Sequence, residues 1–187
     1  MPRSLRLIAE HECYHVINRA NAGQLIFNSP SSYLEYQALL EKYSKKFSVI
    51  IYNYVLIPNH IHLLVEPTTS DLPRFMQVLT LSHTQRVHRR QKTHGHLWQG
   101  RYKSIHIDKD AYFLQCGLYI ELNPIRAGIV VHPSEYLWSS YHAYAYGTLN
   151  PIVTLDQFYL ALGKTAEERR TKYTLTKHVI EQSQPHQ

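Results

Sequence analysis

Two histidines one residue apart, His60 and His62, lie inside the apolar run YVLIPNHIHLLVEP at 54–67. If His60 to Glu66 form a strand, alternation sends both imidazoles to one face and Ile61 and Leu63 to the other. Two imidazoles one pleat apart can grip a single cation. The plainer alternative is a pair of hydrogen-bonded or surface histidines. A second grouping lies in DKDAYFLQCGLYIELNP at 108–124. On a helix, Phe113, Cys116, Gly117 and Ile120 recur at i, i+3, i+4 and i+7 as a core stripe. A rotated stripe carries Tyr112, Gln115, Tyr119 and Asn123. Tyr119 and Asn123 are four residues apart, so their side chains lie one above the other. Tyr119 offers a phenol and Asn123 a hard carbonyl oxygen. A free phenol titrates near about pH 10, so it attacks poorly at neutral pH unless a cation assists. Tyrosine is also abundant here, with 15 in the chain, and Asn before Pro is a common helix stop.

These residues need elements to position them. CYHVINRA at 13–20 alternates as a first strand. SPSSYLEYQALLEKYSKKF at 29–47 reads as a helix, capped by Ser31 or Ser32, with Tyr33, Tyr36, Leu40 and Tyr43 at helical spacing. SVIIYNYVLI at 48–57 is a β-branched, aromatic strand; Pro58-Asn59 is turn chemistry, and 60–66 returns as the second arm of a hairpin. Residues 69–91 form a helix with Pro73 in its first turn, 101–107 a fourth strand, and 108–123 an acid-capped helix that Pro124 stops. The order β-α-β-β-α-β predicts an α+β, ferredoxin-like antiparallel sheet with two helices on one face and the other face left for a site or further helices. Residues 131–187 are read as a C-terminal helical extension packed on a core of residues 1–130, with Gln182–Gln187 frayed.

A chain of 187 residues suffices for one domain with a real core. No apolar run reaches membrane-spanning length, and the first residues lack a signal-peptide run, so a cytoplasmic protein is expected, nucleoid-associated when bound to DNA. Cys13 and Cys116 fit neither a disulfide framework nor a zinc pattern and are read as buried thiols. Lys and Arg outnumber Asp and Glu by 20 to 14, and there are 13 His. That excess suits an anionic, base-bearing partner such as nucleic acid. The candidate DNA-binding residues are Arg86, Arg89, Arg90, Trp98, Arg101 and Lys103 in the basic stretch RVHRRQKTHGHLWQGRYK, with Arg126 beyond the tyrosine helix. The cations can neutralise phosphates and Trp98 can stack an unpaired base or join the core. Tyr136, Trp138 and Tyr141 read as core packing.

Together, PNHIHLLV and YIELNPIRAGIV resemble the single-tyrosine HUH transposases, and more closely the REP-associated tyrosine transposases related to the IS200/IS605 insertion-sequence enzymes. YHVINRANAGQLIF, GHLWQGRYKSIHI, LDQFYLALG and RRTKY are similar to further blocks of that family, in the same order. The insertion-sequence enzymes tend to have Gln where this chain has Asn123, and Asn favours the REP-associated branch; Ala20 stands where members often have Gly. The resemblance implies that His60, His62 and Asn123 hold a divalent metal, Mg²⁺ or Mn²⁺, and that Tyr119 is the nucleophile. It implies attack on a phosphodiester of single-stranded, hairpin-forming DNA through a 5′-phosphotyrosine, by a monomer or a homodimer. Two further readings remain at this level. One is a hairpin nucleic-acid-binding protein with vestigial cleavage, the other a metal phosphodiesterase that uses water instead of Tyr119.

Overall fold

The computed structural model describes residues 8–108 and 112–183, and side chains up to residue 176. Four strands, β1 (Cys13–Arg19), β2 (Val49–Ile57), β3 (His60–Pro67) and β4 (Lys103–Ile107), form one sheet in the order β2-β3-β1-β4. Every neighbouring pair is antiparallel. Helix α1 (Pro30–Lys46) connects β1 to β2 and α2 (Leu72–Gln91) connects β3 to β4. This is the ferredoxin-like α+β arrangement that the element order predicts. Ser29 caps α1 in a reciprocal box with Ser32, two positions ahead of Ser31, the nearer of the two expected caps.

Alternation sorts the sheet into two faces. Val16, Ile61, Leu63 and Val65 pack with Tyr36, Leu40, Phe75 and Leu79 of α1 and α2. Cys13, Val55, Ile57 and Leu64 face the other way, against Phe113 and Ile120 of α3 (Phe113–Glu121). Strand β2 keeps this sorting only because its register shifts between Ile51 and Asn53. The bulge reverses parity, so Ile51 and then Tyr54 and Leu56 share the α1/α2 side. Asn53 is thereby turned towards α3, where it matters below. Each fully buried Leu, Ile or Val on these faces stabilises the fold by roughly 1.5–3 kcal/mol.

Residues 109–111, where the acid-capped start of the tyrosine helix was expected, lie outside the described residues. Pro124 does not stop the helical path as the sequence suggested. The chain kinks at Leu122, and Pro124 sits in the first turn of α4 (Asn123–Arg126), where its missing N–H costs nothing. The tail then runs along the outer edge of β2. The Leu56 N–H donates to the Trp138 carbonyl, Ser140 N–H to Tyr54 and Thr154 N–H to Ile51. That edge is therefore covered rather than open to pairing. Trp138 stacks on Tyr33 at 4.5 Å between ring centroids, while Tyr136 and Tyr141 are buried. Helices α5 (Tyr141–Tyr146), α6 (Gln157–Ala161) and α7 (Ala166–Ser183) follow, and Tyr141, Tyr144, Tyr159 and Tyr173 close over Leu118 of α3. The expected frayed end, Gln182–Gln187, lies outside the described residues from 184 on. No described helix is long and apolar enough to cross a membrane. Among the described residues neither Cys13, which is buried, nor Cys116, which is half-buried, forms a disulfide.

Candidate active site beneath the tyrosine helix

Pairing register decides which side chains meet. Ile17 of β1 lies opposite His62, Arg19 opposite His60, and His15 opposite Leu64. Cys13, His15, Ile17 and Arg19 therefore share the face that carries His60 and His62. The His60 and His62 rings stand edge to face with centroids 5.1 Å apart. Their outer nitrogens are engaged. His60 Nδ1 lies 2.6 Å from Asn59 Oδ1, an oxygen that can only accept, so His60 carries its proton on Nδ1 and keeps a lone pair on Nε2. His62 Nδ1 lies 2.8 Å from His15 Nε2, and the two rings are nearly stacked. His62 Nε2 is sealed from solvent and has no hydrogen-bond partner.

Burial holds all these rings neutral. Burial pushes His62 down to about 3, and the Arg19 and Arg126 guanidiniums nearby add to the effect. His60 falls to about 4 through burial and Arg19, and His15 to about 4 through burial. A neutral imidazole is the form that can ligate a cation.

Helix α3 crosses this face. Gly117 lets it approach, since a Cβ there would lie 2.6 Å from Asn53 Oδ1 on β2. One turn on, Glu121 is fully buried and anchors the helix. Its carboxylate accepts from Asn53 Nδ2 at 2.9 Å, from the Ser140 hydroxyl at 2.5 Å and from the Tyr173 hydroxyl at 2.9 Å. Burial pushes Glu121 up to about 7 against the pull of those three donors. Between these anchors Tyr119 projects over the histidines. Its ring meets His15 at 5.9 Å and His62 at 6.4 Å between centroids, edge-on to both, and is 39 % exposed. The Arg126 guanidinium stacks 4.4 Å above that ring and donates to the Tyr119 carbonyl. Asn123, 9 % exposed, donates through Nδ2 to the carbonyls of Tyr119 and Ile120. Both amide hydrogens are so directed into the helix, and the oxygen remains the atom with acceptor capacity.

Two imidazoles with engaged Nδ1 atoms, one sealed and unpartnered Nε2, and an amide oxygen fit a divalent cation with mixed nitrogen and oxygen ligands. Among the described residues no cluster of three or more His, Cys, Asp or Glu could hold an ion. A site here therefore depends on the amide and on ligands from substrate and water.

The candidate DNA-binding residues fall into three groups. Arg86 and Arg89 are exposed on the last turns of α2. Arg90 beside them pairs with Glu35 of α1 at 2.8 Å. Arg101 lines both of two adjoining grooves, of about 850 and about 540 Å³, which share Asn18, Gln99 and Gly100. The smaller groove also takes in Lys103, Ile17 and Arg19, and so reaches the strand end that carries the histidines. Trp98 lines the larger groove, but its ring packs on His83 and Tyr36 and its Nε1 is buried without a partner. Arg126 sits at the tyrosine, while Glu121 points into the core.

Sequence reasoning missed His15, Arg19 and Glu121. His15 alternates with Cys13 and Ile17 in the first strand, which marks its face. Which other of the 13 histidines in the chain it meets is set by strand register, which the local pattern does not contain.

The family model described as "Transposase IS200 like" matches residues 10–123, and the chain belongs to that family. Among solved structures it is similar to a REP-associated tyrosine transposase bound to a REP hairpin. That match has a TM-score of 0.65 at 17% identity, covering 83% of this chain and 93% of that one. It is also similar to a putative transposase from Deinococcus radiodurans, with a TM-score of 0.44, 18% identity, and 65% and 96% of the two chains covered. No curated protein matches the sequence.

Proposed function

We propose that the protein is a divalent-metal-dependent nuclease and strand transferase acting on single-stranded, hairpin-forming repetitive DNA, with Tyr119 as its nucleophile. The carrying observation is the placement of the Tyr119 ring edge-on to His62 within a single chain, above a sealed and unpartnered Nε2. His60, His62 and Asn123 Oδ1 would hold Mg²⁺ or Mn²⁺; imidazole leans towards Mn²⁺, with DNA and water oxygens completing the shell. Bound there, the cation would neutralise charge building on the phosphoryl oxygens and the leaving group.

Tyr119 Oη attacks the scissile phosphorus. The Oη–P bond forms as the P–O3′ bond breaks; the phenol gives up its proton and the departing O3′ takes one up. The 5′-phosphate stays on Tyr119, and the phosphodiester's energy is kept, so a 3′-hydroxyl can reseal the strand without ATP. Arg126 holds the tyrosine ring from above and offers a cation to the incoming phosphate. The adjoining grooves suit an unpaired strand: Arg101 and Lys103 meet phosphates, while the amides of Asn18 and Gln99 meet base edges. The REP hairpin bound to the similar solved structure supports a hairpin as the partner.

The test incubates 5′- and 3′-labelled hairpin oligonucleotides with Mn²⁺. A covalent protein–DNA adduct and a free 3′-hydroxyl are expected, both lost in Tyr119→Phe while DNA affinity stays within about twofold, because one hydroxyl contributes little to a phosphate-dominated contact. Cleavage that survives Tyr119→Phe would mean water is the nucleophile. Binding with no cleavage by the wild type would leave a hairpin-binding protein.

A further inference from the structure

The outer hydrogen bond of His62 goes to another histidine, and a bond between two neutral imidazoles holds one proton that either ring can supply. Two arrangements are possible. If His15 donates, His62 must carry its own proton on Nε2, where it is sealed without an acceptor. A buried donor left unmatched is among the costlier defects in a protein interior. If His62 donates from Nδ1, its Nε2 is a bare lone pair, and the remaining proton of His15 sits on Nδ1. That nitrogen is not among the described atoms sealed without a partner. The second arrangement leaves no stranded proton. It also matches His60, whose Nδ1 is held by the Asn59 oxygen at 2.6 Å.

We infer that His15 is a positioning residue: it accepts the Nδ1 proton of His62 and so fixes the tautomer and ring pose that present His62 Nε2 as a cation ligand. His15 does for His62 what Asn59 does for His60. Its placement follows from the β1–β3 pairing, which puts His15 one step along the sheet from the Ile17–His62 pair, with its ring 28° from parallel to that of His62. The Tyr119 ring rests edge-on against both histidines, so His15 also backs the nucleophile's side chain. Partners of this kind behind ligating histidines are widespread, and their loss typically weakens metal binding about ten- to a hundredfold. This inference rests on the proposed metal site, but the tautomer it assigns exists in the metal-free protein.

The experiment has two readouts. Long-range ¹H–¹⁵N NMR of the metal-free wild type should show His62 protonated on Nδ1 with Nε2 bare. Calorimetric titration with Mn²⁺ should show His15→Ala weakened about ten- to a hundredfold. His15→Gln, whose amide oxygen can accept the same proton, should recover most of the affinity, with urea midpoints reporting that each variant folds. A proton on His62 Nε2, or His15→Ala binding Mn²⁺ as tightly as the wild type, would overturn the inference while leaving the proposed function standing. Failure of the wild type itself to bind Mn²⁺ would overturn both. Should His15→Ala not fold, the wild-type tautomer and the His15→Gln titration still decide.

Discussion

The atoms that matter most in this site are those whose partners are few. Gly117 is required because α3 approaches β2 so closely that a methyl group would drive into Asn53, which in turn holds Glu121. Gly117→Ala should therefore destabilise by about 1–2 kcal/mol, the overpacking cost outweighing the helix propensity that Ala gains. Urea denaturation reads this, and a midpoint equal to the wild type would sink the close-approach account. Cleavage should fall further than stability, because the same displacement carries Tyr119 off the histidines. His62→Ala should abolish metal-dependent cleavage while the circular dichroism spectrum persists. Unfolding would instead mark His62 as a core residue.

At the scale of elements, α7 and α2 carry the testable couplings. The Tyr173 hydroxyl ties α7 to the tyrosine helix through Glu121. Tyr173→Phe leaves a buried carboxylate one donor short and should cost about 1–3 kcal/mol by urea denaturation. A loss below about 0.5 kcal/mol would mean that the hydrogen bond contributes little at this position. On α2, His83 is enclosed by Phe27, Tyr36 and Trp98, and neither of its ring nitrogens has a partner. Burial pushes it down to about 3, with Arg90 and Arg86 adding to the effect. The folded chain thus refuses a proton that the unfolded chain accepts below the ordinary value of 6.5, so this group removes stability as pH falls through that window. Glu121 acts oppositely. Its carboxyl is raised from 4.5 to about 7, so the folded chain holds a proton the unfolded chain has lost, and stability declines as pH rises between those values. The two trends partly cancel in the wild type, and a variant difference separates them. His83→Leu should be at least as stable at pH 7 and should lose about 1–2 kcal/mol less than the wild type on going to pH 5. Parallel urea midpoints at the two pH values would contradict a neutral, buried His83.

For the molecule as a whole, charge sets how it meets DNA. With a formal net charge of +6 and basic side chains on α2 and along the grooves, hairpin binding should weaken steeply with salt. Each phosphate contact to a single strand contributes roughly 0.7 to the slope of log K against log salt. Arg101→Ala should lower that slope by about this amount, and Arg89→Ala by more than Arg90→Ala, since Arg90 is partnered by Glu35. Fluorescence anisotropy across a salt series measures it. A flat response would remove phosphate contacts from the account, and equal slopes for the two α2 variants would mean that the Glu35 pair opens on DNA.

Much of this was legible locally. Strand alternation places His60 and His62 on one face and Ile61 and Leu63 on the other. The succession of periods gives β-α-β-β-α-β, and the PNHIHLLV and YIELNPIRAGIV blocks identify the family. All of these are consequences of covalent geometry within a few residues, which is why reading along the chain finds them. The bulge after Ile51, the neighbours chosen by β1, the inward turn of Trp98 and the burial of Glu121 are not local. Each depends on which strand pairs with which, and on what packs across the sheet, through contacts between residues dozens of positions apart. Sequence by itself therefore determined the kinds of group available and the faces they occupy. Only tertiary structure decided that His15 stands behind His62 and that the Tyr119 ring lies across both, because register and helix crossing are set by burial of the whole sheet rather than by any one segment.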